Sequence, residues 1–193
     1  MRNTLLFLSL CVVFVACTKK GAAPQPVVND QPEMHYTDLR DSALTSGFQK
    51  VDLNGDGQPD LHFKVQLVAD NVLGVTRKQF CVRAEIGSYL LINEQNETAS
   101  FALQQSIGEA LPGFAWYEVN ESVLAEKLTG ATDAWWDGLW KNAQHRFVAV
   151  QVHRAGRKYH GWVELSVDKG GERVLLHRGA ISTEADRAVR AGQ

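Results

Sequence analysis

Apolar and polar residues alternate along most of the chain. Phe63, Val65 and Leu67 alternate with His62, Lys64 and Gln66, the period of two expected of a strand with one buried face. Phe80, Val82 and Ala84 repeat the pattern against Cys81 and Arg83. Ser88 to Asn93 reads as a short apolar strand ending in a polar turn. Further strands are predicted at Phe147 to Val152, Gly161 to Val167 and Val174 to His177. Lys169-Gly170-Gly171-Glu172 is the hairpin turn between the last two. One segment departs from this pattern: Asn120 stands as a cap before Val123, Leu124 and Leu128, which share a helical face, so a helix is predicted over 120–129. Residues 184–193 are polar and predict a frayed tail or a short helix. No internal repeat is visible, which disfavours a propeller or solenoid. The expectation is a mainly β fold, a single antiparallel sandwich or barrel-like domain over residues 33–183.

The N-terminal pattern differs. Arg2 is followed by an apolar run from Leu5 to Val15 interrupted only by Ser9, then Ala16 and Cys17. A run of about eleven apolar residues is too short for a spanning helix, which needs about twenty. It has the layout of a secretory signal peptide with a small-residue cleavage site. Phe14-Val15-Ala16-Cys17 resembles the end of a bacterial lipoprotein signal peptide, although that family favours Leu where Phe14 stands. The resemblance implies a signal peptide over 1–16 and lipidation of Cys17 as the mature N-terminus. Two or more acyl chains, palmitate among them, hold a protein stably on a bilayer. Thr18 stands where the inner-membrane retention signal has Asp, which points to the outer membrane. Residues 17–32 carry Pro24, Pro26 and Pro32 among Gly and Ala and read as a flexible tether. Lys19 and Lys20 would favour anionic headgroups beside the anchor.

Charge narrows the partners. The net charge of the 193-residue chain is −2, and loss of Arg2 with the signal moves it to about −3. Nothing here supplies a basic field, so no nucleic-acid partner is expected. About 160 residues follow the tether, enough for one domain with a real core. Of the three cysteines, Cys11 leaves with the signal and Cys17 takes the lipid. Cys81 then stands alone, cannot form an internal disulfide, and reads as a buried structural thiol.

Residues 52–60 carry the clearest chemistry. Asp52, Asn54, Asp56 and Asp60 place oxygens at loop positions one, three, five and nine. Gly57 allows the sharp turn, and Gln58 offers its backbone carbonyl. A hard cation wants six to eight oxygens, and this spacing wraps a chain around one. The stretch looks like the calcium loop of EF-hand-like modules in secreted bacterial proteins. Phe63 stands where an EF-hand has its bidentate Glu, and the flanks read as strands. The expectation is one structural Ca²⁺ in a strand–loop–strand, held weakly, at about 10⁻⁴ to 10⁻³ M. Asp41 or Asp70 are candidates to complete the shell. An Asx-rich turn with no ion is the plainer alternative.

Trp135, Trp136 and Trp140 cluster beside Asp133 and Asp137. Such rings either fill a core or stack a ligand such as a sugar. A glycan-active enzyme would pair two carboxylates across a cleft, with Asp133, Asp137 and Glu118 as candidates. The histidines form no metal motif; His153 and His160 read as a surface pair across a hairpin. Neither a Gly-x-Ser-x-Gly elbow nor a phosphate-binding glycine loop is present, and no catalysis is expected.

Two stretches together carry a wider resemblance. Phe48-Gln49-Lys50-Val51 leads into the acidic loop, which leaves through Asp60-Leu61-His62-Phe63. Phe147-Val148-Ala149-Val150 precedes Gly156 to Leu165, with Gly161-Trp162 at its centre. This combination resembles small exported lipoproteins of Bacteroidetes-like bacteria, a group with no established activity. The resemblance implies a β-rich fold and export. The functional expectation is a lipid-anchored binding or structural module of the cell envelope, with a glycan ligand or an accessory role beside an envelope protein as alternatives.

Overall fold

The computed structural model describes residues 31–193, so the signal segment and Cys17 lie outside the described residues. Among the described residues every regular element is a strand: β1 (Met34–Leu44), β2 (Phe48–Val51), β3 (Leu61–Asp70), β4 (Val75–Ala84), β5 (Ser88–Ile92), β6 (Ser100–Phe101), β7 (Ser106–Ile107), β8 (Ala115–Glu118), β9 (Glu121–Thr129), β10 (Ala134–Asp137), β11 (Arg146–Arg154), β12 (Arg157–Asp168), β13 (Arg173–Ser182) and β14 (Val189–Arg190). They form a seven-stranded sheet in the order β1-β13-β12-β11-β5-β8, with β6 also on β11, a five-stranded sheet β10-β9-β4-β3-β2, and the short pair β14-β7. Pairing within the sheets is antiparallel, as short hairpin connections allow. The fold is the mainly β sandwich expected.

Alternation decides the layers. Val148, Val150, Val163 and Leu165 of the large sheet meet Phe63, Phe80, Val82 and Leu124 of the smaller one in the main core. The opposite face of the same strands sends Phe147, Ala149, Trp162 and Ala180 into a second core, closed by Ile107 and Val189. The centre of the large sheet is therefore buried on both sides, which explains its continuous apolar run at residues 147–150.

Two local expectations are corrected. Residues 120–129 are not helical; Glu121–Thr129 is strand β9, paired with β4. A register shift at Phe80/Cys81 breaks the alternation, so Leu124, Ala125 and Glu126 are buried in succession. That irregularity imitates a helical face. The polar tail neither frays nor forms a helix. Val189 and Arg190 pair with Ile107 and Ser106, Val189 and Ala191 are buried, and Trp162 donates its indole N–H to the Gln193 carbonyl at 3.2 Å.

The acidic loop joins β2 to β3 at the end of the sandwich where the chain enters β1. Thr37 of β1 donates to the Asp52 carbonyl at 3.4 Å. Leu53 is fully buried in the space left by the missing side chain of Gly179 on β13. The β3–β4 turn lies at the other end, where Lys78 and Lys127 both reach Glu172 in the β12–β13 turn.

Candidate functional site

The Asp52–Asp60 loop is held by its own side chains. Asp52 accepts the Gly55 and Gly57 N–H groups, both at 2.8 Å, one on each oxygen. Asn54 Oδ1 accepts the Asp56 N–H at 2.9 Å, and Asp56 Oδ1 accepts the Gln58 N–H at 2.8 Å. These short-range bonds curl the chain, with Gly55 and Gly57 at positive φ, 72° and 84°, where a side chain would be strained. The oxygens of Asp52, Asn54 and Asp56 are thus gathered by one turn, and Gln58 is exposed beside them.

Asp60 sits differently. It is buried, and its Oδ2 accepts the Leu53 N–H at 2.7 Å while Oδ1 accepts the Ser88 hydroxyl at 3.2 Å and the Asn54 amide at 3.2 Å. Burial pushes its carboxyl above the ordinary value; the Leu53 and Ser88 bonds pull it down, and the charges of Asp52 and Asp56 push it up again. Among the described residues no Lys, Arg or His forms an ion pair with Asp52, Asp56 or Asp60. The donor set is hard oxygen, as Ca²⁺ requires. Among the described residues no three His, Cys, Asp or Glu side chains stand close enough to enclose a metal unaided, so backbone carbonyl and water would supply the rest of a shell. Neither remote donor is at hand: Asp41 bonds His177 at 2.6 Å, and Asp70 is held by Arg77 at 2.8 Å.

The tryptophans do not form a platform. Trp140 is fully buried and donates to the Thr98 carbonyl at 3.0 Å. Trp136 stacks on Phe80 with centroids 5.8 Å apart. Trp135 alone keeps a largely exposed face. The three carboxylates proposed for a glycan cleft are dispersed. Glu118 lies on β8 at the edge of the large sheet, bonded to the Gly87 N–H. Asp137 lies on β10 at the edge of the smaller sheet, paired with Lys141 at 3.1 Å. Asp133 lies in the turn before β10.

His153 and His160 are not a surface pair. His160 is buried, and burial pushes its pKa down. Gln151 bridges the two rings, contacting His160 Nε2 at 2.9 Å and His153 Nε2 at 2.8 Å. Cys81 is buried as expected, and burial pushes its thiol up to about 12.

One constellation has no sequence motif behind it. On the outer face of the large sheet, Asp41, His177 and Ser166 form a hydrogen-bonded chain, with His145 stacked on His177 at 4.5 Å. The residues come from β1, β13 and β12, so no local pattern could signal them.

Comparison with known proteins returns no match: no family model fits the chain, and no curated protein and no solved structure is similar to it.

Proposed function

We propose that this chain is a lipid-anchored protein of the bacterial cell envelope, a β-sandwich binding or structural module whose Asp52–Asp60 loop takes one structural Ca²⁺. The observation that supports the cation most is Asp60, a buried carboxylate under the charges of Asp52 and Asp56 with no ion pair to a basic side chain among the described residues. Asp52, Asn54 and Asp56 would hold the ion with the Gln58 carbonyl, and Asp60 would supply charge from beneath. The ion would offset that repulsion and fix the β2–β3 turn against β1. No catalytic step is assigned to the calcium loop.

Thermal melts in calcium and in chelator test it. At ten times a Kd near 10⁻³ M the ion adds about 1.4 kcal/mol, a rise of roughly 3–6 °C for a domain of this size. Identical melting temperatures in 10 mM (about ten times the expected Kd) calcium and in chelator would overturn the proposal.

A second reading, an accessory subunit docking on an envelope protein, has its own support. The β3–β4 hairpin leaves Leu67, Val72 and Leu73 exposed, Val72 at 95%, at the end of the sandwich opposite Met34. Apolar residues clustered this way mark contact surfaces. A Val72→Ser, Leu73→Ser double variant that still co-purifies with every envelope protein the parent retains would remove it.

A further inference from the structure

His177 is the point where two irregularities of the large sheet meet. Between β12 and β13 the register passes from Glu164↔Arg178 to Leu165↔Leu176, leaving His177 as an extra residue. Between β1 and β13 it passes from Asp38↔Arg178 to Ser42↔Leu176, so three residues of β1, Leu39 to Asp41, stand opposite His177. Bulges of this kind re-aim a side chain. Here the ring is aimed between its two neighbouring strands. Ser166 Oγ on β12 lies 2.8 Å from His177 Nε2, and Asp41 Oδ1 on β1 lies 2.6 Å from His177 Nδ1.

Hydrogen-bonding roles follow from the chemistry of the groups. A carboxylate only accepts, so Nδ1 carries the proton toward Asp41. Nε2 of the neutral ring is then an acceptor, and the Ser166 hydroxyl donates to it. This is the arrangement in which imidazole takes a proton from a serine while a carboxylate holds the tautomer. The backbone around it is strained: Arg40, Asp41 and His145 have positive φ, 59°, 50° and 49°. Such left-handed positions strain a non-glycine residue and hold its backbone in one conformation. The turn at His145 directs its backbone N–H onto Ser166 Oγ at 2.9 Å, which fixes the hydroxyl so that its proton points to His177 Nε2. Glu164 fixes the cover of the site, bonding His145 Nδ1 at 2.8 Å and Arg178 Nε at 2.7 Å. Burial alone would raise the Glu164 carboxyl; Arg178 and His145 outweigh it and hold it below the usual range.

We propose that Ser166, His177 and Asp41 form a nucleophile relay for acyl transfer from small carboxylic esters. Ser166 attacks the ester carbonyl and forms an Oγ–acyl bond. Its proton passes to His177 Nε2 and then to the departing alkoxide as the original C–O bond breaks. Water, deprotonated by the same nitrogen, releases the acid and restores the hydroxyl. Asp41 is a positioning residue. Ser166 is only 3% exposed and the His145 ring stacks on His177 beside it, so the proposal is confined to short acyl groups. This activity is separate from the calcium loop and does not depend on it.

The test is incubation of the full chain with 4-nitrophenyl acetate, followed by peptide mapping by mass spectrometry and by release of nitrophenolate. An acetyl group on Ser166 is expected. Labelling disappears in Ser166→Ala and falls by about 10² or more in His177→Gln, the contribution of a positioned base. It falls at least about tenfold in Asp41→Asn, where the tautomer is no longer held. His145→Ala removes the cover and raises the rate. Melting curves of each variant separate loss of reactivity from loss of fold. Acetylation confined to lysines, with Ser166 unmodified and nitrophenolate release no faster than in Ser166→Ala, in both the parent and a folded His145→Ala variant, would overturn the proposal.

Discussion

The acidic loop and the His177 cluster are both built from carboxylates and short hydrogen bonds, but they are assembled in opposite ways. The loop is nine consecutive residues whose side chains bond backbone groups two to five positions along. Its conformation is local, and its chemistry is the accumulation of like charge. The cluster draws Asp41, Ser166 and His177 from three strands, separated by up to 136 residues. Its conformation exists only if the β1–β13–β12 register is held. A local motif tolerates a loosened sheet; a site built on two coincident bulges does not.

The largest perturbation strikes the scaffold that both share. Trp140→Ala empties a fully buried site and leaves the Thr98 carbonyl without its donor. A loss of about 3–5 kcal/mol is expected in denaturant titration, enough to remove both features together.

Gly161→Ala separates the two. A Cβ there would collide with the Ala180 carbonyl and sit 3.0 Å from the Ile181 Cα, forcing β12 away from β13. A loss of about 1–3 kcal/mol is expected. The β2–β3 loop keeps its side-chain bonds, so calcium binding survives in calorimetry while Ser166 loses its reactivity. Equal loss of both would show that the loop is not locally determined.

Asp60→Asn sharpens the loop's side of the comparison. The Asp60 carboxyl is raised above 3.8 by burial and by its acidic neighbours, so the native state holds that proton to higher pH than the unfolded chain. The stability from this group is present below pH 3.8 and is lost as pH rises through the raised value. In chelator, melting temperature should therefore fall with rising pH more steeply in the parent than in Asp60→Asn. The amide keeps an acceptor for the Leu53 N–H and removes the charge. A steeper slope in the variant would contradict the account.

The smallest effect is an absence of reaction at Cys81. With its thiol pushed up to about 12 by burial, it should resist alkylation in the native chain at pH 8 and react only on unfolding, which quantitative mass spectrometry of the labelled peptide would check. Rapid native labelling would mean that the smaller sheet opens around it.

The same contrast marks how far the sequence could be read. Strands β3, β4, β5, β11, β12 and β13 follow from alternation because each buries one face or both. The stretch at 120–129 misled because the bulge opposite Phe80 puts Leu124, Ala125 and Glu126 into the interior in succession. The C-terminal strand was hidden because it is only two residues long, and Val189 and the following Ala191 are the only buried apolar residues of the tail, too few for a period. In the loop every candidate was visible in order, while the inward turn of Asp60 toward Ser88 depends on a residue 28 positions away. The tryptophan segment looked uniform in sequence; tertiary packing divides it into core Trp140, stacked Trp136 and exposed Trp135. The Asp41–His177–Ser166 chain left no trace, since its signal is a register and not a motif.

The most direct measurement is calorimetric titration of Ca²⁺ into the full chain, with Asp52→Asn, Asp56→Asn as the control. Saturable heat near one equivalent is expected in the parent, abolished in the control while its fold is retained. Absence of saturable heat in the parent at millimolar calcium would contradict it and reduce residues 52–60 to a self-bonded turn.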